Sequence, residues 1–200
     1  MYIYTKRNMP DQTYWHTFYS DKNHLHDCSP FCLFVLEYFK EITTISDILD
    51  AGSGNGRDSY SLAKRYNVHG VDNSGFIPEP ADNANFTSDD FVTINKDSYD
   101  MIYSRFTMHS ITDEQQVTFL DTIKENSYLV IEARSKKGED SDVYHGKTHY
   151  RNYLDFDHMK TLLMTKGFDI LYEYEGTGLA KYKSEDPVCV RILCRKSNIA

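Results

Sequence analysis

Long apolar runs are missing from this chain. The longest uninterrupted one, Phe31 to Leu36, falls far short of the ~20 residues a membrane-spanning helix needs. No apolar stretch follows the basic pair Lys6-Arg7, which leads instead into Asn8, Pro10, Asp11 and Gln12, so a secretory leader is not expected. Cysteine is sparse: Cys28, Cys32, Cys189 and Cys194 show no C-x-x-C spacing. That argues against a disulfide scaffold and a structural zinc site, and it makes a reducing cytoplasm the expected location. Positive charge is also in short supply, with 22 Lys and Arg against 30 Asp and Glu and a formal net charge of −8. A protein that coats nucleic acid non-specifically needs clustered positive charge, so that class is excluded. Repeats, low-complexity tracts and Gly/Ser/Pro linkers are absent. One structural domain of 200 residues is expected, with a helical segment at 1–43 preceding a larger unit at 44–200.

Aromatic residues are abundant, with 16 Tyr, 11 Phe and 1 Trp. Near the start, Asp11 to Asp21 predicts a short helix carrying Tyr14, Trp15 and Tyr19. Pro30 to Lys40 predicts a stronger one, with Ser29 as N-cap and Pro30 as first helical residue. From Ile45 onward strands and helices alternate. Strands are expected at Ile45–Asp50, Val68–Asp72, Ala84–Thr87, Tyr99–Tyr103, Tyr128–Glu132, Phe168–Tyr174 and Val188–Cys194. Helices are expected at Asp58–Tyr66, Thr112–Lys124 and Asp155–Lys166, the last closed by Gly167. Lys136–Tyr150 reads as loop. This order implies an α/β sandwich with a largely parallel sheet. The last two strands have no helix between them and are expected to pair antiparallel.

The central motif is Asp50-Ala51-Gly52-Ser53-Gly54-Asn55-Gly56-Arg57-Asp58, between a strand and a helix. Gly52, Gly54 and Gly56 permit positive φ and close approach of a ligand to backbone. In open α/β sheets ligands rest beyond the carboxyl ends of the strands, where this turn lies. Asp72 ends the next strand, placed to accept both hydrogen bonds of a ribose diol. Asp90-Phe91 follows the third strand, where a carboxylate and a ring suit an adenine. A dinucleotide fingerprint would need Gly or Ala at position 57, which is Arg57 here. Asp50 would repel a pyrophosphate and suits the ammonium of an amino acid. Adenosine at one end and a cationic amino acid at the other describe S-adenosylmethionine.

Asp50–Asp58, Asp72, Asp90-Phe91 and Asp100–Phe106 together resemble the ordered motifs of class I S-adenosylmethionine-dependent methyltransferases, from Ile45 to Lys196. The resemblance implies a Rossmann-like, three-layer sandwich with a seven-stranded, mostly parallel sheet and an antiparallel last strand. It implies that Asp50, Gly52, Ser53, Gly54, Asn55, Gly56 and Arg57 line the methionine end. Asp72 and Asn73 would hold the ribose, Asp90 and Phe91 the adenine, and Ser104 would lie under the sulfonium. The Asn/Asp-Pro-Pro-Tyr signature of nucleobase and amide nitrogen methylation is absent. The segments Ser104–His109, Glu132–Arg134 and His149–Arg151 are similar to methyltransferases of surface-polysaccharide and small-molecule tailoring clusters. That likeness implies a hydroxyl, phosphate or carboxylate oxygen of a small molecule or glycan as acceptor.

Arg105, Arg134 and Arg151 fall at or after strand ends, and their guanidinium forks match carboxylate or phosphate. An anionic acceptor pocket is one reading of them. Pairing with carboxylates such as Glu132 or Asp155 is the other. His109 and His149 are the candidate general bases, with Arg105 beside the reacting centre; an acceptor already ionised would need no base. The pairs His145/His149 and His24/His26 lack a third ligand at metal spacing, so no metal is expected. Tyr14, Trp15 and Tyr19 are candidates for a lid over the site. Two other readings stand beside the first: a nucleic-acid or protein methyltransferase, and a cofactor-binding scaffold without catalysis.

Overall fold

The computed structural model describes residues 12–20, 27–141 and 150–197, leaving out the side chains of 140 and 141. Its seven strands are β1 (Asp47–Ala51), β2 (Asn67–Asp72), β3 (Ala84–Ser88), β4 (Met101–Arg105), β5 (Tyr128–Arg134), β6 (Phe168–Gly176) and β7 (Cys189–Lys196). The helices are α1 (Gln12–Ser20), α2 (Pro30–Tyr38), α3 (Arg57–Leu62), α4 (Asp113–Asp121) and α5 (Phe156–Thr165). The strands form one sheet in the order β3-β2-β1-β4-β5-β7-β6. Every pairing is parallel except those of β7, which runs antiparallel to both β5 and β6. The expected sandwich is present, and the chain order reverses between β1 and β4.

Alternation along the strands sorts side chains into two cores. Ile48, Met101, Tyr103, Val130 and Leu193 point to one face and pack with Phe31, Cys32 and Val35 of α2 and Leu62 of α3. Leu49, Ile102, Leu129, Ile131 and Ile192 point to the other, against Phe119 and Leu120 of α4 and Met159 and Leu163 of α5. Burial on both faces is why these strands read as near-continuous apolar runs rather than as alternating ones. Helix ends follow local rules. Ser29 Oγ accepts the Cys32 N–H ahead of Pro30. Thr112 and Gln115 form a reciprocal capping box, and Gly167 takes φ +78 after α5.

Three elements differ locally from the expected bounds. β4 begins at Met101, because Asp100 turns its carboxylate to the N–H groups of Ser46 and Asp47. Helix α3 stops at Leu62, and a turn carries the chain into β2. The expected loop after β5 starts as a 3-10 helix, Lys136–Ser141.

A row of charge crosses the sheet on the α2 side. Arg105 of β4 is in register with Glu132 of β5, which is in register with Arg191 of β7. Arg105 Nε donates to Glu132 Oε1 at 3.1 Å, and Arg191 Nη2 donates to Oε2 at 2.5 Å. The Arg191 guanidinium also lies over Phe31 and Phe34 of α2. Glu132 is fully buried, so it is stable only because both neighbours are cationic. Glu132→Ala leaves two inward-facing arginines without their shared counter-ion. It is expected to cost about 3–5 kcal/mol, a fall in melting temperature of roughly 10 °C, measurable by calorimetric unfolding.

Candidate active site

Beyond the carboxyl ends of β1, β2 and β4 lies a cavity of about 430 Å³. Its near end is built on the glycine turn. Gly52, Gly54 and Gly56 all take positive φ. At Gly52 a Cβ would lie 1.8 Å from Thr107 Cγ2, so the turn packs against the segment after β4 with no room for a side chain. Asp72 anchors the turn: Gly54 N–H donates to Oδ2 at 3.0 Å and Ser74 N–H to Oδ1 at 2.8 Å. Each oxygen keeps a further lone pair, and the residue lines the cavity.

Asp50 is 3% exposed and receives the Ser59 hydroxyl at 2.5 Å. Burial pushes its carboxyl up to about 7; the Ser59 hydroxyl opposes this, while Asp58 and Asp72 add to it. Asp58 is held between the backbone N–H and hydroxyl of Ser29 and the Tyr103 hydroxyl. Arg57 Nε lies 3.6 Å from Asp58, too far for a hydrogen bond, and is a buried donor without a partner.

Helix α1 roofs this end. Gln12 donates to the Asn73 carbonyl, and His16 Nδ1 lies 3.2 Å from the Ser74 carbonyl. The Tyr19 ring lies over Gly54, 2.6 Å from where a Cβ would project. Burial and the neighbouring Asp72 raise the Tyr19 phenol, so it stays protonated.

The far end is rich in arginine. Arg134 makes a two-pronged pair with Glu185, at 2.8 and 3.1 Å, and both are buried. Arg151 stands beside the Tyr153 hydroxyl at 3.3 Å. Burial, then the like charge of Arg134, lower its affinity for a proton. The buried His109 accepts the Arg134 backbone N–H at Nδ1, 3.1 Å away. With that lone pair engaged, the neutral ring carries its proton on Nε2. In that tautomer Nε2 carries a proton to donate, and the nitrogen able to accept one is the one that the Arg134 N–H meets.

Between the ends stands Phe106. Its φ is +60, a left-handed conformation that costs a bulky residue on the order of 1–3 kcal/mol. Its N–H donates to the Glu132 carbonyl at 2.7 Å. Its ring lies 4.4 Å from the Arg105 guanidinium carbon, 5.8 Å from that of Arg134 and 5.4 Å from the His109 ring.

Of the residues singled out in the sequence, Asp50, Gly52, Ser53, Gly54, Asn55, Arg57, Asp72, Asn73 and Phe91 line this one cavity, as do Arg105, His109, Arg134, Arg151, Trp15 and Tyr19. Four do not. Gly56 lies behind the turn against Phe86 and Tyr60. Ser104 is buried with its hydroxyl on Thr107. Asp90 is not in the cavity wall, and its carboxylate accepts the Val92 N–H and the Thr93 hydroxyl. Tyr14 stacks on Phe18, close enough to Arg151 to feel its charge. His149, and with it His145, His24 and His26, lies outside the described residues. Asp58, Tyr103, Phe106, Thr107, Tyr182 and Glu185 also line the cavity. Of these, Asp58, Tyr103, Phe106 and Thr107 lie within the motifs read from the sequence, while Tyr182 and Glu185 had no signal there. Cys28, Cys32 and Asp58 bring two thiols and a carboxylate together, but Asp58 is already bonded to Ser29 and Tyr103.

Gly52→Ala is expected to destabilise the fold by about 2–4 kcal/mol, combining the clash with the φ penalty. Adding Thr107→Ser removes the clashing methyl and recovers the steric part. A double-mutant cycle by chemical denaturation measures the coupling.

Residues 48–126 match the family model described as a methyltransferase domain. No curated protein matches the chain. Among solved structures it is similar to the 1,6-didemethyltoxoflavin-N1-methyltransferase of Burkholderia thailandensis, crystallised with 1,6-didemethyltoxoflavin and S-adenosylhomocysteine. The identity is 14%, the coverage 84% of this chain and 77% of that one, and the TM-score 0.64. An S-adenosylmethionine-dependent methyltransferase from Methanosarcina mazei aligns at 17% identity over 80% and 97% of the two chains, with a TM-score of 0.65. The magnesium protoporphyrin IX methyltransferase of Synechocystis, solved with S-adenosylmethionine, aligns at 14% identity over 83% and 78%, with a TM-score of 0.59. Residues 48–126 thus match a methyltransferase-domain model, and the chain has the fold of the S-adenosylmethionine-dependent methyltransferases.

Proposed function

We propose that the protein transfers a methyl group from S-adenosylmethionine to an oxygen of a small-molecule or glycan acceptor, and that this oxygen belongs to a carboxylate or phosphate. The observation that carries the reading is one continuous cavity with buried carboxylates at the glycine turn and arginines at the opposite end.

The near end fits the cofactor on its own terms. A buried carboxylate pushed up to about 7 calls for a cation, and the ligand's ammonium supplies one. Asp72 keeps lone pairs for a ribose diol, and Phe91 provides a flat apolar wall. Arg57 Nε, without a hydrogen bond among the described residues, suits an acceptor atom on the ligand. When bound, the cofactor supplies an electrophilic methyl group on sulfur. The chain's part is then to align and desolvate an incoming oxygen on the opposite side of that methyl.

With Arg134 neutralised by its pair with Glu185, His109 contributes an N–H and Arg151 contributes positive potential. These groups orient an oxyanion, and none removes a proton. A carboxylate or phosphate is a competent nucleophile at neutral pH without a base, whereas a neutral hydroxyl is not. Trp15 and Tyr19 on α1, with Tyr14 facing Arg151, act as the lid that shields the site from water. The neighbours named for toxoflavin and porphyrin precursors support a small-molecule acceptor.

The sign of the pH dependence follows from Asp50. Its carboxyl is raised above its ordinary 3.8, so its contribution to stability is complete below pH ~4 and is lost as pH rises through about 7. A ligand ammonium needs the ionised form. S-adenosylhomocysteine is therefore expected to bind about tenfold more weakly at pH 6 than at pH 8. Asp50→Asn should weaken binding at pH 8 and flatten this profile, as read by calorimetric titration. In turnover assays with carboxylate, phosphate and hydroxyl acceptors, Arg151→Met should raise the acceptor KM about tenfold or more and leave the cofactor KM unchanged. Turnover of neutral hydroxyl acceptors alone would overturn the oxyanion reading.

A further inference from the structure

Arg105 is tethered at one nitrogen only. Nε donates to Glu132, which is its one side-chain hydrogen bond among the described residues. Neither terminal nitrogen has a hydrogen-bond partner among the described residues, and the side chain, 19% exposed, lines the cavity. The Nη groups therefore keep N–H donors for a ligand there. Arg57, at the start of α3, lines the same cavity with its buried Nε unpaired. Both guanidiniums stand beside Asp58, and Asp58 is already occupied by Ser29 and Tyr103.

A guanidinium on one tether would swing unless something flat held it. Phe106 does so, with its ring 4.4 Å from the Arg105 guanidinium carbon. That placement requires the left-handed backbone at Phe106, since the extended alternative would continue β4 and send the ring elsewhere. Asn or Gly would occupy such a conformation without strain. The chain retains a phenyl ring there, against the local preference of its backbone.

We propose that Arg57 and Arg105 form an oxyanion subsite within the cavity and that Phe106 is the positioning residue that holds the Arg105 fork open for it. The proposal rests on the functional reading above. The ligand chemistry is a carboxylate or phosphate, which two donors in a plane receive side by side. Two sources carry that chemistry. One is the amino-acid end of the cofactor, whose ammonium would lie at Asp50. The other is the acceptor.

Calorimetric titrations with two probes separate them: S-adenosylhomocysteine, and 5′-methylthioadenosine, which keeps the adenosine and sulfur but has no carboxylate. The variants are Arg105→Gln, Phe106→Leu and Phe106→Tyr. If the carboxylate is the cofactor's, Arg105→Gln and Phe106→Leu lose at least tenfold in affinity for S-adenosylhomocysteine and stay within twofold for 5′-methylthioadenosine. Phe106→Tyr keeps the ring and binds both like the parent. If it is the acceptor's, both probes bind normally, and inorganic phosphate or benzoate titrated onto the S-adenosylhomocysteine complex binds the parent but not Arg105→Gln or Phe106→Leu. Unchanged binding of all probes in those two variants would overturn the proposal. So would parallel loss of both nucleosides, which marks general damage to the site. A parent protein that binds neither nucleoside sinks the functional reading instead. Thermal melting separates strain from packing: Phe106→Asn should melt no lower than Phe106→Leu although it buries less apolar surface, and a lower value removes the strain argument.

Discussion

The fold and the cavity share one buried carboxylate. Glu132 has no access to water, and its charge is stable only because Arg105 and Arg191 approach it from the strands on either side. Three strands must therefore be in correct register for any of the three charges to be satisfied. A one-residue slip would move each side chain to the other face of the sheet. The same row continues the order outward. Arg191 lies against the aromatic rings of α2, and the other end of the row delivers Arg105 to the cavity wall. Replacing such a triad with apolar residues can leave a fold as stable or make it more so, so its use here is specification of register and placement of one guanidinium.

Around the glycine turn the balance is reversed. Asp50, Asp58 and Asp72 are all buried within one small region, and among the described residues backbone N–H groups, three hydroxyls and the nearby arginines offset them. Such a region is electrostatically unfinished. It is held at a cost in the free protein, and a cation of the right shape lowers that cost. Perturbed groups gather at functional sites for this reason. The far end has the opposite sign, so a bound molecule spans a field gradient rather than a uniform pocket.

Much of this was legible in the residues. The central strands β1, β4 and β5 were visible as short, mostly buried runs between turn signals, while the edge strands β3 and β6 carry polar residues and are marked by their place in the alternation instead. The glycine turn was visible because only glycine satisfies both the positive φ and the 1.8 Å approach of Thr107 at Gly52. Less local features were hidden. The pairing of Arg134 with Glu185 depends on a turn between β6 and β7 folding back over the strand ends, and nothing near either residue announces it. The Nδ1 contact of His109 comes from a backbone N–H at the end of β5, distant in the chain. The left-handed Phe106 runs against propensity, so sequence reasoning passes over it. Asp90 follows β3 where the sequence places it, and its carboxylate caps the turn through Val92 and Thr93, a local role that the motif does not announce.

The position of β7 constrains how the molecule can be assembled. It follows every other strand in chain order, yet it sits between β5 and β6 and bridges them. Until it emerges from the ribosome, β6 has no strand to pair with and Glu132 has a single cationic neighbour. The nascent chain can form β1 to β5 with the helices that cover them, but its sheet stays open at one edge and its charge row stays incomplete. Closure is therefore a late event in synthesis, and a chain released before β7 would expose an unpaired edge, the surface most prone to join another chain.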